Sequence, residues 1–194
     1  MILLQTLLEA LFPSLCKNCD ADCNKAPLCE SCWELSRLID PFFRCIHCFE
    51  LSETTVCSAC YRNPKLPYPR YALFEKEAPI LRLIDQESTQ AMAAFAYVQL
   101  EKLKRLDFDY LVPVVSSPIA DSLATLCNRA LLRLFRRRFF LGKRPKWELR
   151  ANLLEQDAAI LLFDPGCELQ ELEEACFAIA EAFPKRVHIL SLHL

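Results

Sequence analysis

Eight cysteines in the first sixty residues form four C-x-x-C pairs: Cys16/Cys19, Cys29/Cys32, Cys45/Cys48 and Cys57/Cys60. Two cysteines at i and i+3 on a tight turn aim both sulfurs at one centre, which is half of a tetrahedral zinc site. Four such knuckles predict two closed four-thiolate sites, a double zinc ribbon holding two zinc ions. Four thiolates leave no coordination position open for water, so the expected role of the metal is structural. A segment this short has little apolar core of its own, and metal binding would supply its folding energy. Pairing in sequence order joins the first knuckle to the second and the third to the fourth. A cross-braced scheme, first with third and second with fourth, uses the same ligands, and the spacing fits both. Cys23, between the first two knuckles, is a spare thiol able to substitute as a ligand. His47, inside the third pair, reads as a neighbour of the site, since Cys45 and Cys48 already supply that half.

Disulfides are the competing use of these cysteines. Residues 1–15 are apolar without the basic n-region or small-residue cleavage site of a secretory leader, which favours a reducing, cytoplasmic setting. Cys127, Cys167 and Cys176, lying among apolar neighbours, suit the same compartment.

The chain has 194 residues, 53% of them hydrophobic, and a formal net charge of −2. That length suits one small metal module (1–62), a connector (63–70) and one α/β domain (71–194). No stretch reaches the roughly 18 uncharged apolar residues of a membrane span. Bulk charge does not mark the chain as a polyanion binder. Glycine occurs only twice, as Gly142 and Gly166. Loops that cradle phosphates need glycine for positive φ and close backbone approach, so no G-x-G-x-x-G or Walker loop can be written.

The remaining elements follow from hydrophobic patterning. Ile2, Leu3, Leu7, Leu8, Leu11 and Leu15 predict an amphipathic N-terminal helix that Pro13 cuts short. Pro64, Pro67 and Pro69 exclude a helix from the connector. Strands are expected at 71–74, 110–115, 158–163 and 186–192, and helical segments at 80–84, 91–105, 120–138 and 168–183. Continuous apolar strands separated by helices indicate a parallel sheet covered on both faces. Ligands of such sheets bind at the carboxyl ends of strands. That singles out Ser116-Ser117-Pro118 and Asp164-Pro165-Gly166-Cys167.

The motifs Leu11-Phe12-Pro13-Ser14-Leu15-Cys16, the four knuckles, Ala72-Leu73-Phe74 through Ile80-Leu81-Arg82-Leu83-Ile84, Leu111-Val112-Pro113-Val114, Arg150-Ala151-Asn152-Leu153 and Ile160-Leu161-Leu162-Phe163-Asp164 occur in one order. In that order the chain resembles the ComF family of competence-associated proteins. The resemblance implies a second domain of type I phosphoribosyltransferase fold, and a setting in DNA uptake. It also implies where the site has decayed. The family's phosphoribosyl pyrophosphate loop carries two acidic residues and a Thr-Thr-Gly-type turn. Here Asp164 alone remains of the acidic pair, Pro165 replaces its partner, and the turn is shortened to Gly166-Cys167-Glu168. Glu168 would put negative charge where a phosphate should sit. Without the resemblance, Asp164-Pro165-Gly166 reads as a plain strand-to-helix turn.

A basic, aromatic stretch from Arg129 to Arg150 overlaps the end of the helix expected at 120–138. Arg133, Arg136, Arg137, Lys143, Arg144, Lys146 and Trp147 could hold single-stranded DNA by phosphate contacts and base stacking. Positions 129, 133, 136 and 137 would share one helical face. The plainer reading is a solvated basic face balanced by the acidic helix at 168–183. Three functional readings stand. The first is a nucleic-acid-binding module. The second is a phosphoribosyltransferase using phosphoribosyl pyrophosphate and Mg with Asp164 on the ribose. The third is a zinc-ribbon adaptor docking a helicase-like protein partner.

Overall fold

The computed structural model describes residues 15–23, 27–84, 88–138, 146–150, 154–155 and 157–194. The expected N-terminal helix through Ile2 to Leu11 lies outside these residues, as do Lys143 and Arg144.

The four apolar runs become strands: β1 (Arg70–Phe74), β2 (Tyr110–Pro113), β6 (Ala159–Asp164) and β7 (Arg186–His193). A two-residue β3 (Ala130–Leu131) joins them in one sheet of order β1-β7-β6-β2-β3. Every pairing in it is parallel. The central strands are apolar throughout because both faces are covered, and alternation divides their side chains between two cores. Leu111, Leu161, Phe163, Leu190 and Leu192 point to one face. That face is covered by α3 (Thr89–Lys102) and α4 (Pro118–Cys127), which contribute Met92, Ala96, Leu100, Ile119 and Leu123. Val112, Ile160, Leu162, Val187 and Ile189 point to the other, under Leu172, Ala175, Cys176 and Ile179 of α5 (Leu169–Ala180).

The cysteine segment does not have a core to itself. Cys16, Leu28, Cys32, Ile39 and Phe49 are buried in the same cluster as Tyr71, Leu73 and Leu161. Backbone hydrogen bonds tie the parts together: Ile39 N–H donates to Leu73 O at 2.8 Å, and Arg70 N–H to Ile46 O at 2.9 Å. Gln99, fully buried on α3, donates through Nε2 to Ile39 O at 2.8 Å. The short 3-10 helix Pro79–Leu83 is also held to this segment, since Ile80 N–H donates to Ser36 Oγ at 3.0 Å.

One expected helix is overturned. The pattern from 120 to 138 predicts continuous helix, but α4 stops at Cys127. Asn128 takes the left-handed conformation (φ 50°) as its C-terminal cap, a role asparagine fills when glycine is absent. The chain then runs through β3 and into an antiparallel hairpin of β4 (Phe135–Arg138) and β5 (Lys146–Leu149). Burial explains the switch. Leu134 is fully buried in the core beneath α5, and Leu132 N–H donates to Leu111 O of β2, 2.9 Å away. A helix through this stretch would use the Leu132 N–H within itself and could not make the bond to the sheet.

Positive φ at seven described non-glycine residues, among them Asp20, Phe43, Phe49 and Phe183, accompanies the shortage of glycine.

Candidate metal centres and the carboxyl ends of the strands

Two modules of the same design hold the eight cysteines. In each, the first knuckle is a tight loop closed by an isolated antiparallel bridge, Leu15 with Asp22 and Arg44 with Leu51. Asp20 N–H donates to Cys16 O at 3.0 Å, and Phe49 N–H likewise to Cys45 O at 2.8 Å. Both turns place the residue after the second cysteine at positive φ, 59° for Asp20 and 62° for Phe49. Phe49 is buried edge-on against Tyr71, with ring centroids 5.8 Å apart, so the strained turn also anchors the module to β1. The second knuckle of each module opens a one-turn helix. Cys29 caps α1 (Glu30–Glu34) and Cys57 caps α2 (Ser58–Arg62), which places Cys32 and Cys60 on the helices.

Cys16, Cys19, Cys29 and Cys32 form one cluster, and Cys45, Cys48, Cys57 and Cys60 the other, with all sulfurs of a cluster within 4.8 Å of one another. Sequence-order pairing is therefore the one adopted, and the cross-braced scheme is not. Sulfur separations are 3.6 Å for Cys19–Cys29, 3.7 Å for Cys19–Cys32 and 3.8 Å for Cys48–Cys57. A disulfide would bring sulfurs to about 2.05 Å. A tetrahedral ion with metal–sulfur bonds of about 2.3 Å separates them by about 3.8 Å. The observed distances fit the tetrahedron, and all twelve cysteines are free. A four-thiolate donor set is soft and favours zinc, so both clusters are compatible with one zinc ion each.

The electrostatics point the same way. Burial raises the Cys16 thiol, but the N–H groups of Cys29, Asn18 and Cys19 outweigh it and bring it down to about 6. Burial likewise opposes ionisation of Cys45, while the N–H groups of Cys48, Cys57 and His47 lower it to about 6. Their neighbours go the other way. The Asn18 amide, 3.4 Å from Cys32 Sγ, favours its thiolate, but burial and the Cys29, Cys16 and Cys19 sulfurs together push Cys32 up to about 12. Burial and the other three sulfurs raise Cys60. Four crowded sulfurs cannot all ionise against one another. A dication at the centre removes that conflict and lets all four ligate. Cys23 lies outside the cluster, and its thiol donates to Ala21 O at 3.5 Å. His47 is also outside, with a buried Nδ1 that has no hydrogen-bond partner.

In the sheet, the strand order reverses between β2 and β6, which is where α/β sheets bind ligands. Asp164 ends β6 there, only 1% exposed. Its Oδ1 accepts from Gly166 N–H at 2.9 Å and Cys167 N–H at 2.7 Å, the hydrogen bonds of an Asx turn. Its Oδ2 lies 3.8 Å from Arg70 Nη2. Arg70 is itself fixed, donating from Nε to Ser191 Oγ at 2.9 Å and from Nη2 to His193 O at 3.0 Å. Gly166 is required where it stands: φ is 117°, and a Cβ would lie 2.9 Å from His193 Nε2. Asp164 thus organises its own turn. The sequence points to Asp164 but not to Arg70 or His193. Arg70 ends a proline-rich connector and His193 lies near the last residue, and nothing in a linear pattern joins them.

The basic residues are not gathered on a helix. Arg133 pairs with Asp121 at 2.6 Å, both about half exposed. Arg129 reaches back to Leu106 O at 3.2 Å and over the Phe108 ring at 5.9 Å. Arg136 is exposed on β4, whose backbone register sets Arg136 opposite Glu148, Arg137 opposite Trp147 and Arg138 opposite Lys146. The hairpin packs beside the acidic helix α5. Among the described residues no helix is long and apolar enough to cross a membrane.

No family model matches this chain, and no curated protein matches it in sequence. The class rests on what the molecule itself presents, an α/β protein with a parallel five-stranded sheet and two four-cysteine clusters toward its N-terminus.

Proposed function

We propose that this chain is a ComF-type protein in which two zinc ribbons brace a domain of phosphoribosyltransferase type that binds but does not transfer. The observation that carries the reading is the state of Asp164. The one carboxylate left to hold a ribose is buried, accepts two backbone N–H groups of its own turn and faces Arg70. Oδ1 is taken by the turn, and Oδ2, though it accepts no hydrogen bond, is buried beside Arg70, so a ribose hydroxyl would have to enter a closed site. Phosphoribosyl pyrophosphate with Mg is therefore expected to give no measurable heat of binding to the zinc-loaded chain. Micromolar affinity that Asp164→Asn abolishes would overturn the reading and restore the transferase.

Single-stranded DNA is the favoured ligand of the binding reading. Its support is the β4–β5 ribbon, on which Arg136, Arg137, Arg138 and Lys146 lie within two short paired strands beside Trp147. Lys143 and Arg144 lie in the sequence joining those strands. An adaptor role toward a helicase-like partner is what remains if the ribbon binds no nucleic acid.

A further inference from the structure

A cavity of about 550 Å³ lies between the second cysteine cluster and the carboxyl ends of β1, β6 and β7. Its size is that of a small-molecule site. It is not the cleft at the strand-order reversal, because Ser116 and Ser117 do not line it. Cys48, Cys57 and Cys60 form part of one wall, and the exposed side chains of Leu51 and Leu169 supply apolar surface. Arg70, His47 and His193 are among the polar residues that line it.

Arg70 is the informative one. A guanidinium carries five N–H donors in a rigid fork. Ser191 Oγ and His193 O hold Nε and Nη2, which fix its plane, and the Asp164 carboxylate stays beyond hydrogen-bond length at 3.8 Å. The fork is thus pre-oriented with donors to spare. A planar carboxylate is the group that matches a fixed guanidinium with two parallel hydrogen bonds. Charge limits the ligand further. Lys65, Arg70 and Lys76 are offset by Glu50 and Glu168 on the lining and by Asp164 beside Arg70, which leaves no net charge. A zinc ion on four thiolates next to them would carry two negative charges. That field disfavours a dianion more than a single carboxylate, whose charge Arg70 meets directly.

We propose that this cavity binds a small monocarboxylic acid with an apolar body, its carboxylate on Arg70 and its body against Leu51 and Leu169. The proposal is independent of the DNA reading. It rests on the zinc reading only through the cavity wall that the second cluster braces.

The test is calorimetry on full-length protein whose zinc content is measured beforehand, so a failure to load metal is seen separately from a failure to bind acid. Octanoate is the probe, and 1-octanol, octylamine and octyl phosphate are its controls. Octanoate is expected to bind at least tenfold tighter than each control. Ala59→Trp, at an exposed position on the cavity lining, should fill the space and weaken octanoate at least tenfold while circular dichroism and melting stay unchanged. Arg70→Lys, which keeps the charge but loses the fork, should weaken octanoate and leave octanol unaffected. Octanoate binding no tighter than octanol, octyl phosphate binding as well as octanoate, or undiminished binding to Ala59→Trp would each overturn the proposal.

Discussion

At the scale of single residues, ligation is decided by where each sulfur can go. Eight cysteines meet in two groups of four at tetrahedral spacing, and Cys23 does not join them. Protein purified under reducing conditions should therefore contain two zinc ions per chain by elemental analysis. Cys29→Ser should lower the content to one, because three thiolates and a hydroxyl make a poorer site. Cys23→Ser should leave it at two. A wild-type content of one would mean that one cluster does not close. The i, i+3 spacing names the ligands because it is a local property of a turn. It leaves the pairing open, because pairing depends on the path between knuckles. Here Cys32 and Cys60 ride on one-turn helices that bring each second knuckle back to the first, and no linear pattern records that return.

Among the elements, those fixed by burial on both faces were legible and those fixed by a partner strand were not. The runs at 71–74, 110–115, 158–163 and 186–192 are apolar because the sheet is covered twice, and each becomes a strand. The stretch 129–138 misleads because arginines at 129, 133, 136 and 137 have helical spacing, while the forces that decide it are distant. Leu111 of β2 and the core beneath α5 pull it into strand. The DNA reading consequently moves from a helix face to the β4–β5 ribbon. Affinity for single-stranded DNA, measured by fluorescence anisotropy, should fall with salt at a logarithmic slope of roughly −0.7 per phosphate neutralised. Arg136→Glu with Arg137→Glu should weaken binding to all sequences alike and flatten that slope. Trp147→Ala should cost about 1–3 kcal/mol and leave the slope unchanged if a base stacks there. No binding at low salt by fully zinc-loaded protein would leave the adaptor role.

For the whole molecule, the decisive fact is that cysteine modules and sheet share one core. A metal module with a core of its own would melt alone when its zinc is removed. Here Cys16, Cys32, Ile39 and Phe49 pack with Leu73 and Leu161, and Gln99 binds Ile39 from the far side. Chelation is thus expected to destabilise the entire chain in one cooperative step, with amides of β6 and β7 losing hydrogen-exchange protection together with the knuckles. Protection of those strands that survives complete zinc removal would show that the sheet stands alone. Glycine scarcity also acts on the unfolded chain. At average usage the chain would hold about 14 glycines. Having two instead narrows the unfolded ensemble by about 0.4–1 kcal/mol for each residue that is not glycine, on the order of 5–12 kcal/mol in all. Against this stand the seven left-handed backbones at non-glycine residues, at up to about 1–2 kcal/mol each and less for Asp20, Asn128 and Asp157. The two quantities are of similar size and opposite sign. The strained turns that close the knuckles are thus tolerated because the chain has fewer disordered conformations to give up.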